Sequence, residues 1–149
     1  MNIANEIKVE ILGISKNEAL ARSIVASFVS QLTLTIEELS DIKTAVSEAV
    51  TNSIVHGYSQ SVGFVTIECR LYEGEGREAI EIAIIDSGKG IADIEKAREP
   101  LYTTQPELER SGMGFTVMET FMDEVAISSH LGRGTKVTLR KQLTNNNEQ

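Results

Sequence analysis

The amino-acid sequence predicts an α+β fold, a two-layer α/β sandwich with helices on one face of a mixed, mainly antiparallel sheet. Apolar residues recur at helical spacing in three segments and alternate with polar residues in five shorter runs. In chain order these patterns predict a strand, two helices, two strands, a short helix, a loop, a helix and two strands. Because most of the strands follow one another directly, we expect antiparallel hairpins.

The N-terminal part of the chain predicts one strand and two helices. Alternation over residues 6–11 predicts a half-buried strand, and helical spacing predicts an amphipathic helix over about residues 16–32. The second helix is expected to run to Gly57, a C-terminal stop. Both helices begin with the spacing of a capping box, formed by Ser15 with Glu18 and by Thr35 with Glu38.

The middle of the chain predicts a hairpin and a short helix. Apolar residues alternate over residues 65–71 and 80–84, and the glycines within residues 73–76 suit the turn between them. Cys69 lies in the first of these runs and is expected to be buried. A short helix is expected over about residues 93–98.

The rest of the chain predicts a long loop, a helix and two strands, at about residues 99–114, 115–122, 125–127 and 136–139. A loop of that length is usually functional or disordered. There is no internal repeat and no interdomain linker, so we expect a single domain over residues 1–149 with a flexible tail from about residue 143.

The composition limits the class of protein. Fourteen lysines and arginines against 22 aspartates and glutamates give a net charge of −8, which argues against a nucleic-acid surface and permits a partner with basic patches. The single cysteine excludes an internal disulfide and fits a reducing compartment. Neither a signal peptide nor an apolar run of bilayer length is found, so we expect a cytoplasmic protein without membrane contact.

An acidic, glycine-rich turn follows the apolar strand that ends near residue 85. In the motif D-x-G-x-G, formed by Asp86, Gly88 and Gly90, a strand-end carboxylate can accept a hydrogen bond from the exocyclic amine of adenine. The glycines let the backbone approach a planar ring. The alternative interpretation is an ordinary turn with an Asx cap.

A second glycine-containing motif, Ser111-Gly112-Met113-Gly114, precedes the helix predicted after residue 114. Backbone N–H groups at a helix start and the helix dipole both favour a phosphate group. The motif is neither a Walker loop nor a Rossmann fingerprint, since G-K-[ST] does not follow and no strand directly precedes it. The alternative is a hinge between loop and helix.

Three polar residues on the second helix, Glu48, Asn52 and His56, are spaced four apart and share one face. An asparagine carbonyl is a hard oxygen ligand that suits Mg²⁺, and a carboxylate one turn away can accept a proton from a nucleophile or orient water. The alternatives are a solvated helix face and, for His56, a hydrogen-bonded histidine near a helix end.

The motifs E-x-x-x-N, D-x-G-x-G, G-x-G and G-x-G-T, the last at residues 132–135, resemble in type and order the nucleotide-binding boxes of the GHKL superfamily, which includes gyrase and the histidine kinases. SEAVTNSIVHGY at residues 47–58 and PELERSGMGF at residues 106–115 are similar to the anti-sigma serine kinases of endospore-forming bacteria. The resemblance implies a Bergerat-type ATP site with Glu48 as general base, Asn52 on Mg²⁺, Asp86 on adenine and Thr135 near the adenine pocket. It also implies a homodimer that inhibits the sporulation sigma factor F and phosphorylates an anti-anti-sigma protein. The turn at residues 73–78 looks longer than this family suggests.

Hypotheses for the remaining residues depend on this site. We expect Arg110 to meet the terminal phosphate, with Thr103 and Thr104 also near the phosphates. The alternative for Arg110 is a surface ion pair with a neighbouring glutamate. Arg22 on the first helix is the candidate for sigma-factor contact, and a solvated arginine is the alternative. The same residues would also serve a bare ATPase or a non-catalytic, nucleotide-gated binding module.

Overall fold

The computed structural model describes residues 1–58, 62–99 and 114–143. Its strands are β1 (Asn2–Leu12), β2 (Phe64–Gly74), β3 (Arg77–Asp86), β4 (Glu124–His130) and β5 (Gly134–Leu143), and its helices are α1 (Asn17–Val29), α2 (Ile36–Asn52), α3 (Ile94–Ala97) and α4 (Gly114–Phe121). The strands form one sheet in the order β1-β2-β3-β5-β4, and each of its four pairings is antiparallel. With the helices packed on one side, the predicted two-layer sandwich is confirmed.

The hydrophobic core lies between the sheet and the helices α1, α2 and α4. Alternate residues of β2 and β3 face it, and cross-strand partners such as Cys69 and Ile82 are fully buried. Burial raises the pKa of the Cys69 thiol to about 12, so the thiol is protonated and unreactive at neutral pH. The predicted burial of Cys69 is confirmed.

The two predicted capping boxes have different outcomes. The box at Thr35 and Glu38 is confirmed: each side chain accepts a hydrogen bond from the other residue's backbone N–H, over 3.0 and 2.9 Å. The box at Ser15 and Glu18 is wrong, because α1 begins after Lys16, which makes no side-chain cap. Glu18 instead accepts a hydrogen bond from Ser47 on α2 and pairs with an arginine one turn further along its own helix.

The hairpin between β2 and β3 closes more tightly than the sequence suggests. Gly74 pairs with Arg77, so only Glu75 and Gly76 lie between the strands. Both have positive φ, 55° and 72°, as a two-residue turn that matches the sheet twist requires. The expected long turn at residues 73–78 is therefore wrong, because the strands continue through most of it.

The second helix does not end simply at Gly57. Helix α2 ends at Asn52, and residues Ser53–Gly57 continue as one wider, π-helical turn. The Gly57 carbonyl at its end accepts a hydrogen bond from the N–H of Lys89 over 3.0 Å. This turn therefore connects α2 directly to the segment that follows β3.

Several expectations fall on residues that the structure does not describe. These are the hypotheses for Thr103, Thr104, Arg110, Ser111, Gly112 and Met113 and most of the predicted loop and tail. Over the described ranges, no helix combines the length and the apolar character needed to cross a bilayer.

Candidate functional site

A cavity of about 310 Å³ lies between α2, the end of β3, α3, α4 and β5. Its walls include five residues singled out from the sequence, which come from four separate segments of the chain: Asn52, Asp86, Gly90, Gly114 and Thr135. His56 also lines it. The structure therefore brings the polar helix face, the strand-end turn and the start of α4 together around one space.

Asp86 lies at the end of β3 with only 5 % of its surface exposed. Burial raises the pKa of its carboxyl group, while hydrogen bonds from the Gly88 N–H, the Ser53 side chain and the Thr135 N–H oppose the rise. The N–H of Gly88 lies 2.9 Å from Asp86 Oδ1. These donors hold a buried carboxylate at the cavity wall, where it presents hydrogen-bond acceptors.

The polar face of α2 meets the cavity at its C-terminal end. Asn52 and His56 line the cavity, whereas Glu48, one helical turn earlier and half-buried, does not. Asn52 is the residue of this face whose oxygen could contact a ligand-bound cation. The described residues contain no group of three or more histidine, cysteine, aspartate or glutamate side chains that could hold a metal ion by themselves.

A serine on β4 connects the cavity wall to its surroundings. Ser129 Oγ lies 2.8 Å from the Ile91 N, 3.0 Å from the Gly134 O and 2.8 Å from Thr135 Oγ1. Ile91 and Thr135 both line the cavity. One hydroxyl group therefore joins β4, the β5 start and the segment after β3.

Helix α4 begins at Gly114, where Gly114 and Phe115 form part of the cavity wall. The start of a helix presents unpaired backbone N–H groups, which suit an anion. The preceding residues of the S-G-M-G motif lie outside the described ranges. The structure thus places only the last glycine of that motif at the cavity.

Sequence reasoning missed several residues of the site. Gly57 was assigned only as a helix stop, yet a Cβ there would lie 3.0 Å from the Asp86 carboxyl carbon. No site role is predicted for Ser53, yet its side chain hydrogen-bonds to Asp86. Ser129 carried no motif. The run SEAVTNSIVHGY at residues 47–58 contains both Ser53 and Gly57, and it was the available signal for those two residues.

Comparisons with known proteins agree with this architecture. A family model described as a histidine kinase-like ATPase domain matches residues 15–141. The anti-sigma F factor of Clostridium beijerinckii is 56 % identical over 140 residues, which cover 93 % of this chain and 95 % of that protein. The chain belongs to the anti-sigma F factor family. Its ATPase-like domain implies nucleotide binding.

Other members and a solved structure extend the comparison. The anti-sigma F factor of Thermoanaerobacter sp. (strain X514) is 52 % identical over 143 residues, covering 96 % of this chain and 97 % of that protein. The crystal structure of the RsbU and RsbW domains of Rv1364c from Mycobacterium tuberculosis matches with a TM-score of 0.66 at 19 % identity, covering 94 % of this chain and 33 % of that one. That likeness supports the fold described above.

Proposed function

We propose that this chain is a Mg-ATP-dependent serine protein kinase that phosphorylates an anti-anti-sigma protein and that also binds and inhibits the sporulation sigma factor F. The observation that carries the proposal is the meeting of Asn52, Asp86 and Gly114 at one cavity, from three separate elements. Asn52 can contact a cation, Asp86 can contact the adenine base, and the helix start at Gly114 can contact the phosphate chain. Membership of the anti-sigma F factor family supports the choice of partners.

The adenine ring is assigned to the part of the cavity beside Asp86. A buried carboxylate whose hydrogen-bond partners are all donors offers its remaining lone pairs to the exocyclic amine of adenine. Gly90 and Thr135 line the same cavity. The triphosphate is proposed to extend from there towards Gly114, where α4 begins.

A magnesium ion fits the residues that are present. Mg²⁺ usually takes one or two protein ligands and completes its shell with phosphate oxygens and water. Asn52 supplies such a ligand from α2. When bound, the ion would neutralise the charge of the triphosphate.

Glu48 is proposed as the general base. It lies one turn before Asn52 on the same helix face, so an acceptor serine that approaches the terminal phosphate would pass its proton to the Glu48 carboxylate. The serine oxygen then forms a bond to the γ-phosphorus, the bond from phosphorus to the bridging oxygen breaks, and ADP leaves. Positioning of this kind is the main demand of phosphoryl transfer.

The sigma factor is proposed to bind at α1, and the chain is proposed to act as a homodimer. Strand β1 forms one edge of the sheet. The groove between β1 and α1 is lined by three apolar and three polar residues: Ile7, Ile24, Phe28, Ser23, Ser27 and Gln31. An edge strand beside a partly apolar groove suits contact with a second copy. Such a complex would act in the cytoplasm, where the sigma factor works.

Mass spectrometry of the companion anti-anti-sigma protein after incubation with Mg-ATP tests the kinase. We expect one added phosphate on a serine, and Glu48→Gln to lower the rate by about a hundredfold. Glu37→Gln, on the exposed N-terminal turn of the same helix, is the matched control and should leave the rate unchanged. Release of inorganic phosphate without phosphorylation of the companion protein would instead indicate an ATPase. If the Glu48→Gln variant still regulates the sigma factor fully, the chain is a non-catalytic binding module.

A further inference from the structure

The hydroxyl group of Ser129 has three hydrogen-bond partners of different kinds. The Ile91 N–H can only donate, the Gly134 carbonyl can only accept, and the Thr135 hydroxyl can do either. Ser129 has a single proton. All three contacts lie between 2.8 and 3.0 Å, which is normal hydrogen-bond distance.

These partners determine the direction of each hydrogen bond. The Ser129 proton goes to the Gly134 carbonyl, because that oxygen has no proton of its own to offer. Ser129 Oγ then accepts from the Ile91 N–H and from Thr135, so the Thr135 hydroxyl must donate its proton to Ser129. Thr135 Oγ1 therefore keeps only lone pairs for the cavity that it lines.

Asp86 and Thr135 are cross-strand partners on β3 and β5, and both line the cavity. The carboxylate of Asp86 receives hydrogen bonds from donors only, so it too presents acceptors. This wall of the cavity, defined by Asp86 and Thr135, is thus an acceptor-only surface. Such a surface matches a ligand group with protons to donate and repels a carbonyl oxygen.

We propose that Ser129 is a positioning residue for base selection. By accepting the hydrogen bond from the Thr135 hydroxyl, it makes the Asp86–Thr135 wall select a purine with an amino group at C6 over one with an oxo group at C6. The inference rests on the proposed ATP site and goes beyond it, since it assigns the discrimination between ATP and inosine triphosphate to a residue that does not line the cavity. Ser129 acts only through Thr135.

The test is the ratio of the two affinities, measured by calorimetric titration of the full chain with Mg-ATP and with magnesium and inosine triphosphate. In Ser129→Ala, the Thr135 hydroxyl can turn and donate to an oxo group. We expect the preference for ATP to fall by about tenfold, which corresponds to one hydrogen bond. Ser129→Thr keeps the hydroxyl group and should restore most of the preference.

Controls separate this role from simple support of the cavity. A structural role alone would weaken both nucleotides equally and leave the ratio unchanged, which would overturn the proposal. Thr135→Val should lower the ratio as Ser129→Ala does, and the double variant should lower it no further, because both changes remove the same interaction. Ser128→Ala, on the neighbouring exposed position of β4, should change nothing.

The outcomes also distinguish this inference from the proposed function. Wild-type binding of ATP with an unchanged ratio in Ser129→Ala contradicts the role of Ser129 alone. Failure of the wild type to bind any nucleotide contradicts both. If Ser129→Ala does not fold, as judged by circular dichroism, Thr135→Val decides, and an unaltered ratio in that variant overturns the proposal.

Discussion

Gly88 and Gly57 approach each other so closely that an ideal Cβ on Gly88 would lie 2.1 Å from the carbonyl oxygen of Gly57 and would clash with it. The Gly57 carbonyl also accepts the hydrogen bond from the N–H of Lys89. The π-helical turn after α2 and the turn after β3 therefore meet backbone to backbone. This contact holds Asp86 against the helix that carries Asn52.

Gly88→Ala should separate these two turns. The added methyl group meets backbone rather than a flexible side chain, so we expect a loss of about 3 kcal/mol in the free energy of unfolding and weaker nucleotide binding. Gly132→Ala is the matched control: its φ is +81°, but no heavy atom lies within 4 Å of a Cβ there. Strain alone should cost about 1 kcal/mol at that position. Urea unfolding and ATP titration measure both effects, and equal losses in the two variants would contradict the contact.

Asp86 makes the stability depend on pH in a specific direction. Burial raises its pKa above the ordinary 3.8, so the folded state holds this proton more tightly than the unfolded state. Ionisation of Asp86 therefore costs stability as the pH rises from 3.8 through the raised pKa, and below that window the cost is absent. As the pH rises through this window, the free energy of unfolding of the native chain should fall relative to that of Asp86→Asn, whose residue 86 does not ionise. Urea titrations at several pH values measure the difference, and parallel curves for the two proteins would refute it.

Local patterns predicted the elements of the fold better than their ends. The alternation in β2 and β3 and the capping box at Thr35 depend on neighbours in the chain, and both were correct. Ser15 and Glu18 have the same spacing, yet Glu18 bonds to Ser47 on another helix. A local pattern contains no information about that tertiary partner, so it could not distinguish the two cases.

The same limit applies to the site. Asn52 and Asp86 were predicted because each lies in a short motif whose chemistry is recognisable, and Thr135 was predicted because its motif resembles a nucleotide-binding box of a known superfamily. Ser129 was missed, since its partners come from a turn 38 residues earlier and from the paired strand. Its importance depends on the β4–β5 register, which places Ser129 opposite Thr135. The sequence alone does not specify that register.

Lys141 should stabilise the attachment of α4. Its Nζ donates a hydrogen bond to the carbonyl of Phe121, the last residue of α4, over 2.7 Å, and lies 3.6 Å from Asp41 Oδ2 on α2. Lys141→Met leaves both groups without this partner, and we expect the free energy of unfolding to fall by about 2 kcal/mol. Lys136→Met, exposed on the same strand, should change it by no more than ~0.5 kcal/mol. Urea unfolding of both variants tests the difference, and similar values would show that the Lys141 contacts contribute nothing.

Arg22 tests the proposed sigma-factor surface on α1. Its guanidinium lies 3.7 Å from Glu18 Oε1, and 40 % of its side chain is exposed, so the charge remains available to a partner. Arg22→Glu places a second carboxylate one turn from Glu18 and should lower the affinity for the sigma factor by about tenfold or more. Nucleotide affinity should stay unchanged, because Arg22 is not among the residues that line the cavity. Lys16→Glu makes the same charge change at an exposed position just before α1 and is the control. Fluorescence anisotropy of labelled sigma factor measures the affinity. Equal affinities of Arg22→Glu and the native chain would show that Arg22 is not in the interface. Equal losses in Arg22→Glu and Lys16→Glu would show that only the net charge matters.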